Sequence, residues 1–184
     1  MTALRFVVST VLDLYILTFI LRFMLQWVRT DPRNPFWQFV VQITNPLVRP
    51  LRQVLPGWRG IELASPLLVL VLETVTVVVL LRLSSLPLPG IGLLLYYALL
   101  RFALAVLRLY FFAIFVYVIL SWVSPDMSHP LARVLSALCE PLLRPIRRII
   151  PTVGGFDLSP VVVLIGLQAL IITVPLPGVL AYGF

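Results

Sequence analysis

The chain has 184 residues, 61% of them hydrophobic and only 11% charged, with a mean hydropathy of +1.08. Soluble domains carry about 25% charged residues, so this composition excludes a water-soluble globule and assigns the chain to a membrane. The net charge is +7, and every basic residue is an arginine beside an apolar run, which excludes a basic water-facing nucleic-acid domain and points to anionic lipid headgroups.

In chain order, the first apolar run extends from Leu4 to Val28. It is too long for a signal-peptide core and no small-residue cleavage site follows, so it reads as a retained transmembrane helix. A membrane-crossing helix needs roughly 20 apolar residues. Four stretches qualify, at about 4–28, 64–83, 97–123 and 159–177. Ser65-Pro66 and Ser159-Pro160 are expected to open the second and fourth, with serine as N-cap and proline at the first helical position. Pro87, Pro89 and Gly90 form the short connection between the second and third.

Between the first two spans, Gln38, Gln42, Asn45, Arg49 and Arg52 recur at helical spacing, with an apolar face opposite. Arg133, Ala137, Glu140, Arg144 and Arg147 repeat this between the third and fourth. Such a stripe predicts amphipathic interfacial helices over 36–55 and 131–150, arginines toward headgroups. Pro46 and Pro50, and likewise Pro141 and Pro145, remove backbone hydrogen bonds, so each element is expected to be two short helices joined at a kink.

An offset of 95 residues reveals a repeat: 14 identities fall within the 45 ungapped positions from Leu12 to Pro56. They include Leu12/Leu107, Tyr15/Tyr110, Trp27/Trp122, Asp31/Asp126, Pro35/Pro130, Pro46/Pro141, Arg49/Arg144, Pro50/Pro145 and Arg52/Arg147. The expected fold is therefore an all-α membrane protein, with four transmembrane helices in two tandem parallel repeats, 1–90 and 91–184. Arginines crowd the first and third connections: Arg29, Arg33, Arg49, Arg52 and Arg59 in one, Arg133, Arg144, Arg147 and Arg148 in the other. These connections should be cytoplasmic, with both termini outside.

A charge within the bilayer costs about 2.5–3.5 kcal/mol on insertion scales, so each calls for a partner or a purpose. Asp13 and Glu73 lie near the middle of their spans, and Arg108 is the repeat counterpart of Asp13. An Asp13–Arg108 pair with Glu73 nearby is the expected arrangement, while Arg22 is expected to snorkel out of the cytoplasmic end. Thr18, Thr74, Thr76 and Gln168 are expected to hydrogen-bond between helices. Trp27 and Trp122 stand at matching boundaries as interfacial anchors. His129 and Cys139 are each single, and no phosphate loop, haem-attachment or nucleophile-elbow motif occurs, so neither an enzyme, a cofactor nor a metal is expected.

Arg22, Trp27, Asp31, Asn34-Pro35, Thr44, Pro46-Leu47, Arg49-Pro50-Leu51-Arg52 and Pro56, followed by Gly154-Gly155-Phe156-Asp157-Leu158-Ser159-Pro160, resemble the YggT (YlmG) family over nearly the whole chain. The second half departs from the pattern, with Tyr117 where the first has Arg22 and His129 where it has Asn34. The resemblance implies a bacterial inner-membrane protein with chloroplast relatives, and roles of the kind proposed across those relatives: osmotic tolerance, division-associated or nucleoid organisation, or assembly of b-type cytochromes. Two functions compete. One is a non-enzymatic scaffold or assembly factor that binds anionic lipid and a membrane-protein partner through Arg49, Arg52, Arg144, Arg147 and Arg148. The other is a small ion or proton channel subunit, working as a homo-oligomer, with a path along Asp13, Glu73 and Arg108. No direct nucleic-acid contact is expected of either.

Overall fold

The computed structural model describes residues 2–54, 62–123, 129–149 and 157–181, and within them the regular structure is helical throughout. The helices are α1 (Thr2–Trp27), α2 (Pro35–Val54), α3 (Ala64–Leu83), α4 (Ile91–Val123), α5 (Pro130–Arg147) and α6 (Ser159–Thr173). Pro56, Arg59, Asp126 and Gly154 to Phe156 lie outside the described residues, as does the side chain of Trp122.

Among the described residues three helices are long and apolar enough to cross a membrane: α1 over Ala3–Trp27, α3 over Ala64–Leu83 and α4 over Ile91–Ser121. α4 begins six residues before the expected 97, because nothing interrupts the helix after Pro89-Gly90. α3 and α4 are antiparallel neighbours joined by a turn in which Ser85 takes φ 55°. Leu86 N donates to Leu81 O at 3.0 Å and closes the end of α3. α1 ends alike, with Arg29 at φ 53° and Thr30 N donating to Leu25 O at 3.0 Å.

The expected span over 159–177 is helical only over Ser159–Thr173. Pro175 and Pro177 end it, Leu180 N donates to Pro177 O at 2.7 Å, and Leu180 returns into the core, fully buried. The serines do not cap these helices. Leu63 and Leu158 occupy the N-cap positions, so Ser65-Pro66 and Ser159-Pro160 lie inside the first turn.

α2 and α5 run unbroken through their prolines, not as two short helices each. Pro46 and Pro50 are exposed and four residues apart, as are Pro141 and Pro145. The carbonyls that lose a donor thus lie along an outward face, where the helix can bend to accommodate the rings. Asn34 Oδ1 caps α2 by accepting from Phe36 N at 2.9 Å, and His129 Nδ1 caps α5 by accepting from Leu131 N at 3.2 Å. Each of these helices also buries a face against the long helices: Val40, Thr44 and Val48 on α2, Val134, Leu138 and Leu143 on α5. α2 packs on α1, α3 and α5, while α5 packs on α1, α4 and α6.

The core has three parts. Ile16, Phe19 and Ile20 of α1 meet Val48 of α2, Leu68 and Val69 of α3, and Leu109 of α4. Ala113 and Ile114 of α4 meet Leu138 and Leu143 of α5 and Leu167 of α6. Val77, Leu80 and Leu81 of α3 close around Leu180.

Candidate functional site

The middle of the bundle holds an ionic cluster. Arg101 of α4 donates through Nε to Glu73 Oε2 at 2.7 Å, and through Nη2 to Asp13 Oδ1. Its Nη1 reaches the carbonyl of Leu180 at 2.6 Å. Glu73 stands ten residues before the end of α3 and Arg101 ten after the start of α4. Both therefore lie about 15 Å from the connecting turn, half the hydrocarbon thickness. Arg108 and Asp13 line the same cavity of about 30 Å³, together with Glu73, Arg101, Leu104 and Ala105. Two carboxylates and two guanidiniums make the cluster electroneutral, which is how such charges are tolerated out of water.

The sequence places Asp13, Glu73 and Arg108 together, and the structure does bring them to one cavity. The expected ion pair is corrected: the partner of Asp13 is Arg101, and Arg108 instead sends Nη2 toward Ala181 O at 3.5 Å. Sequence reasoning misses Arg101 because it lies four residues inside the expected 97–123 span, where an arginine is an ordinary boundary residue. The uninterrupted apolar run from Ile91 is the signal that would place it mid-helix.

Two smaller clusters clasp α2 and α5 to the long helices. Arg22 does not snorkel outward. It is 2% exposed, with Nε on Glu62 Oε2 at 3.0 Å and Nη1 on Thr44 Oγ1 at 2.7 Å and Asn45 Oδ1 at 3.0 Å. Arg52 joins from α2 through its own ion pair with Glu62, and Ser65 Oγ donates to the same carboxylate at 3.2 Å. At positions 95 residues further on, Arg147 holds Asp157 Oδ2 at 2.7 Å and Glu140 Oε2 at 3.1 Å, with Nη2 directed to Tyr117 Oη at 3.5 Å. Where the first clasp has Arg22 and Asn45, the second has Tyr117 and Glu140, so a cation and an amide are exchanged for a phenol and an anion.

Around the second clasp, partial burial alone would raise the Asp157 carboxyl, but hydrogen bonds from Arg147 and from the Ser159 backbone outweigh it and hold the group below the usual carboxylate range. Burial would lower Arg147, yet its bonds to Tyr117 and Asp157 hold it above the ordinary value. Burial pushes the Cys139 thiol up to about 12, which keeps it protonated and unreactive at neutral pH.

The remaining predicted residues sort by surface. Arg49, Arg144 and Arg148 are exposed, as are Arg29, Arg33 and Arg133, all on the side of α2 and α5, while Arg52 and Arg147 are committed to the clasps. Trp27 is exposed at the end of α1 on that side. Asn34 is buried where α2 and α5 meet, its Nδ2 donating to Pro130 O at 2.9 Å next to Pro35. Thr18, Thr74 and Thr76 each bond a carbonyl of their own helix and join no two helices; Gln168 is exposed. Among the described residues no three histidine, cysteine or acidic side chains gather where a metal would bind.

Among known proteins the chain is similar to an uncharacterized protein of Pseudomonas aeruginosa, 40% identical over 91% of this chain and 85% of the relative. The uncharacterized protein YggT of Escherichia coli is 40% identical over 90% and 85%. A Vibrio alginolyticus protein, described as lying in the proC 3′ region, is 43% identical over 91% of each chain. No solved structure matches. The family described as CCB3/YggT matches residues 1–83 and 96–176, and with relatives of this identity along nine tenths of its length, the chain belongs to the CCB3/YggT family.

Proposed function

We propose that this protein is a non-enzymatic membrane scaffold or assembly factor, whose working surface is the arginine-bearing face of α2 and α5. The observation that carries the reading is how the charges divide. Those inside the bundle gather around a cavity of about 30 Å³, where Arg101 pairs with both Asp13 and Glu73 and there is room for one or two waters. Six arginines outside the clasps are exposed on one side, beside exposed Phe39, Ile43 and Leu47 of α2. Arginine and apolar side chains alternating on one helix suit the headgroup boundary, each arginine contributing about 1 kcal/mol toward anionic lipid.

On this reading the arginine face is cytoplasmic, the termini lie on the outer side of a bacterial inner membrane, and α6 with its returning segment is the fourth membrane-embedded element. The chain is two tandem halves, 1–90 and 91–184. The matched caps at Asn34 and His129 and the matched clasps on Glu62 and Asp157 support that division.

The test combines two measurements on the purified protein. Native mass spectrometry should find bound phosphatidylglycerol that is lost from an Arg49→Gln, Arg144→Gln, Arg148→Gln variant, and proteoliposomes should pass no more protons than empty vesicles. Unchanged lipid retention would overturn the arginine face as the working surface, and proton flux that disappears in an Asp13→Asn, Glu73→Gln variant would replace the scaffold with a transport protein.

A further inference from the structure

Residues 174–181 are non-helical backbone packed on Arg101, the side chain that the α3–α4 hairpin sets half a bilayer thickness from its turn. Such backbone is tolerated there only when protein supplies the hydrogen bonds that water would otherwise make. Three consecutive carbonyls have arginine donors: Arg5 Nη2 on Val179 O at 3.4 Å, Arg101 Nη1 on Leu180 O at 2.6 Å and Arg108 Nη2 on Ala181 O at 3.5 Å. The Leu180 side chain is wholly buried among Val77, Leu80 and Leu81. The segment thus seats on the ionic cluster from the side of the α3–α4 turn. Beneath it lies the cavity into which Asp13 and Arg108 project, and one oxygen of Asp13, Oδ2, is buried there with no hydrogen-bond partner in the protein. A buried carboxylate oxygen beside space for a water takes a water as its donor.

We propose that Val174–Ala181 is a plug, sealing a hydrated Asp13–Arg101–Glu73 cluster from the water on the side of the α3–α4 turn. Arg101 is its latch, since one guanidinium holds both carboxylates and the plug's Leu180 carbonyl. Moving the plug takes that donor's third contact away and opens the cluster to solvent while leaving the two ion pairs in place. The plug does not depend on what the arginine face of α2 and α5 binds.

The experiment is thiol labelling of the full-length chain in membranes. Ala105→Cys, on the cavity wall, is introduced into a Cys139→Ala background and exposed to a membrane-impermeant cationic thiosulfonate. With the plug native, the cysteine should stay unlabelled. Leu180→Arg forces a charge into the apolar site formed by Val77, Leu80 and Leu81 and should speed labelling at least tenfold, with Leu180→Ala giving a smaller gain. In parallel, Cys139 in an otherwise native Leu180→Arg chain should stay unlabelled by a membrane-permeant maleimide, showing the bundle intact. The proposal fails if Ala105→Cys labels equally fast under the native plug, or if neither Leu180 variant speeds it. It also fails if Cys139 becomes labelled together with Ala105→Cys in both Leu180 variants, since the segment would then be holding up the whole bundle.

Discussion

Arg101 Nε stands 2.7 Å from Glu73 Oε2, and this contact joins α3 to α4 at points equally far from the turn that connects them. The hairpin sets the two side chains level, and α1 brings Asp13 to the same guanidinium. One cation therefore ties three helices, and no other side chain in the described bundle binds two carboxylates that deep.

Removing that cation alone leaves two buried carboxylates with less compensation. Arg101→Met should destabilise the protein by about 3–5 kcal/mol. The triple variant Asp13→Asn, Glu73→Gln, Arg101→Met should recover part of the loss, because both stranded carboxylates are then gone and Arg108 is the one charge of the cluster that remains. Equilibrium unfolding in mixed micelles measures both. Equal instability of the single and triple variants would show that the cluster does not act as a unit.

The two clasps should respond unequally. Arg22→Met removes a fully buried guanidinium and its bonds to Glu62, Thr44 and Asn45, and should cost about 3 kcal/mol or more. Tyr117→Phe removes only a 3.5 Å contact, while Arg147 keeps both its carboxylates, so its loss should stay below about 1 kcal/mol. Thermal unfolding followed by tryptophan fluorescence distinguishes them.

The second clasp should carry an acid limb of stability. Asp157 is held below its ordinary pKa in the folded protein, so on acidification the unfolded chain takes up this proton first. Its contribution is complete above about pH 4, the unfolded carboxyl range, and is lost as the pH falls through the lower folded value. Stability measured from pH 7 downward should therefore fall more steeply below pH 4 in the native protein than in Asp157→Asn, and the two curves should converge. Parallel curves would mean that the Arg147–Asp157 contact adds nothing.

Ser85 occupies the left-handed region that favours glycine, in the turn between α3 and α4. Ser85→Gly should raise stability by up to about 1 kcal/mol. A lower midpoint in the same thermal assay would show that the serine side chain compensates for its backbone.

Composition and period are enough to read the long helices. Leu4 to Val28 and the 64–83 stretch are apolar on every side, which fits a membrane better than an amphipathic role, and the spacing of the arginine stripe is enough to mark α2 and α5. The contacts are less legible. Arg22 looks like a snorkelling boundary residue because its carboxylate, Glu62, lies 40 positions away in a segment whose approach no local pattern encodes. The prolines of α2 and α5 suggest a broken helix, since spacing alone does not reveal that all four face outward. The last apolar stretch runs on to 177 by hydropathy, but hydropathy does not register that Leu180 folds back to meet an arginine.

α4 and α6 pack side by side yet differ greatly in reach, 33 residues against 15. At 1.5 Å per residue these are about 50 Å and 22 Å, one well above and one below the ~30 Å hydrocarbon layer. α4 is thus long enough to cross with room to tilt, whereas α6 falls short by itself and needs the non-helical residues 174–181 to extend its reach.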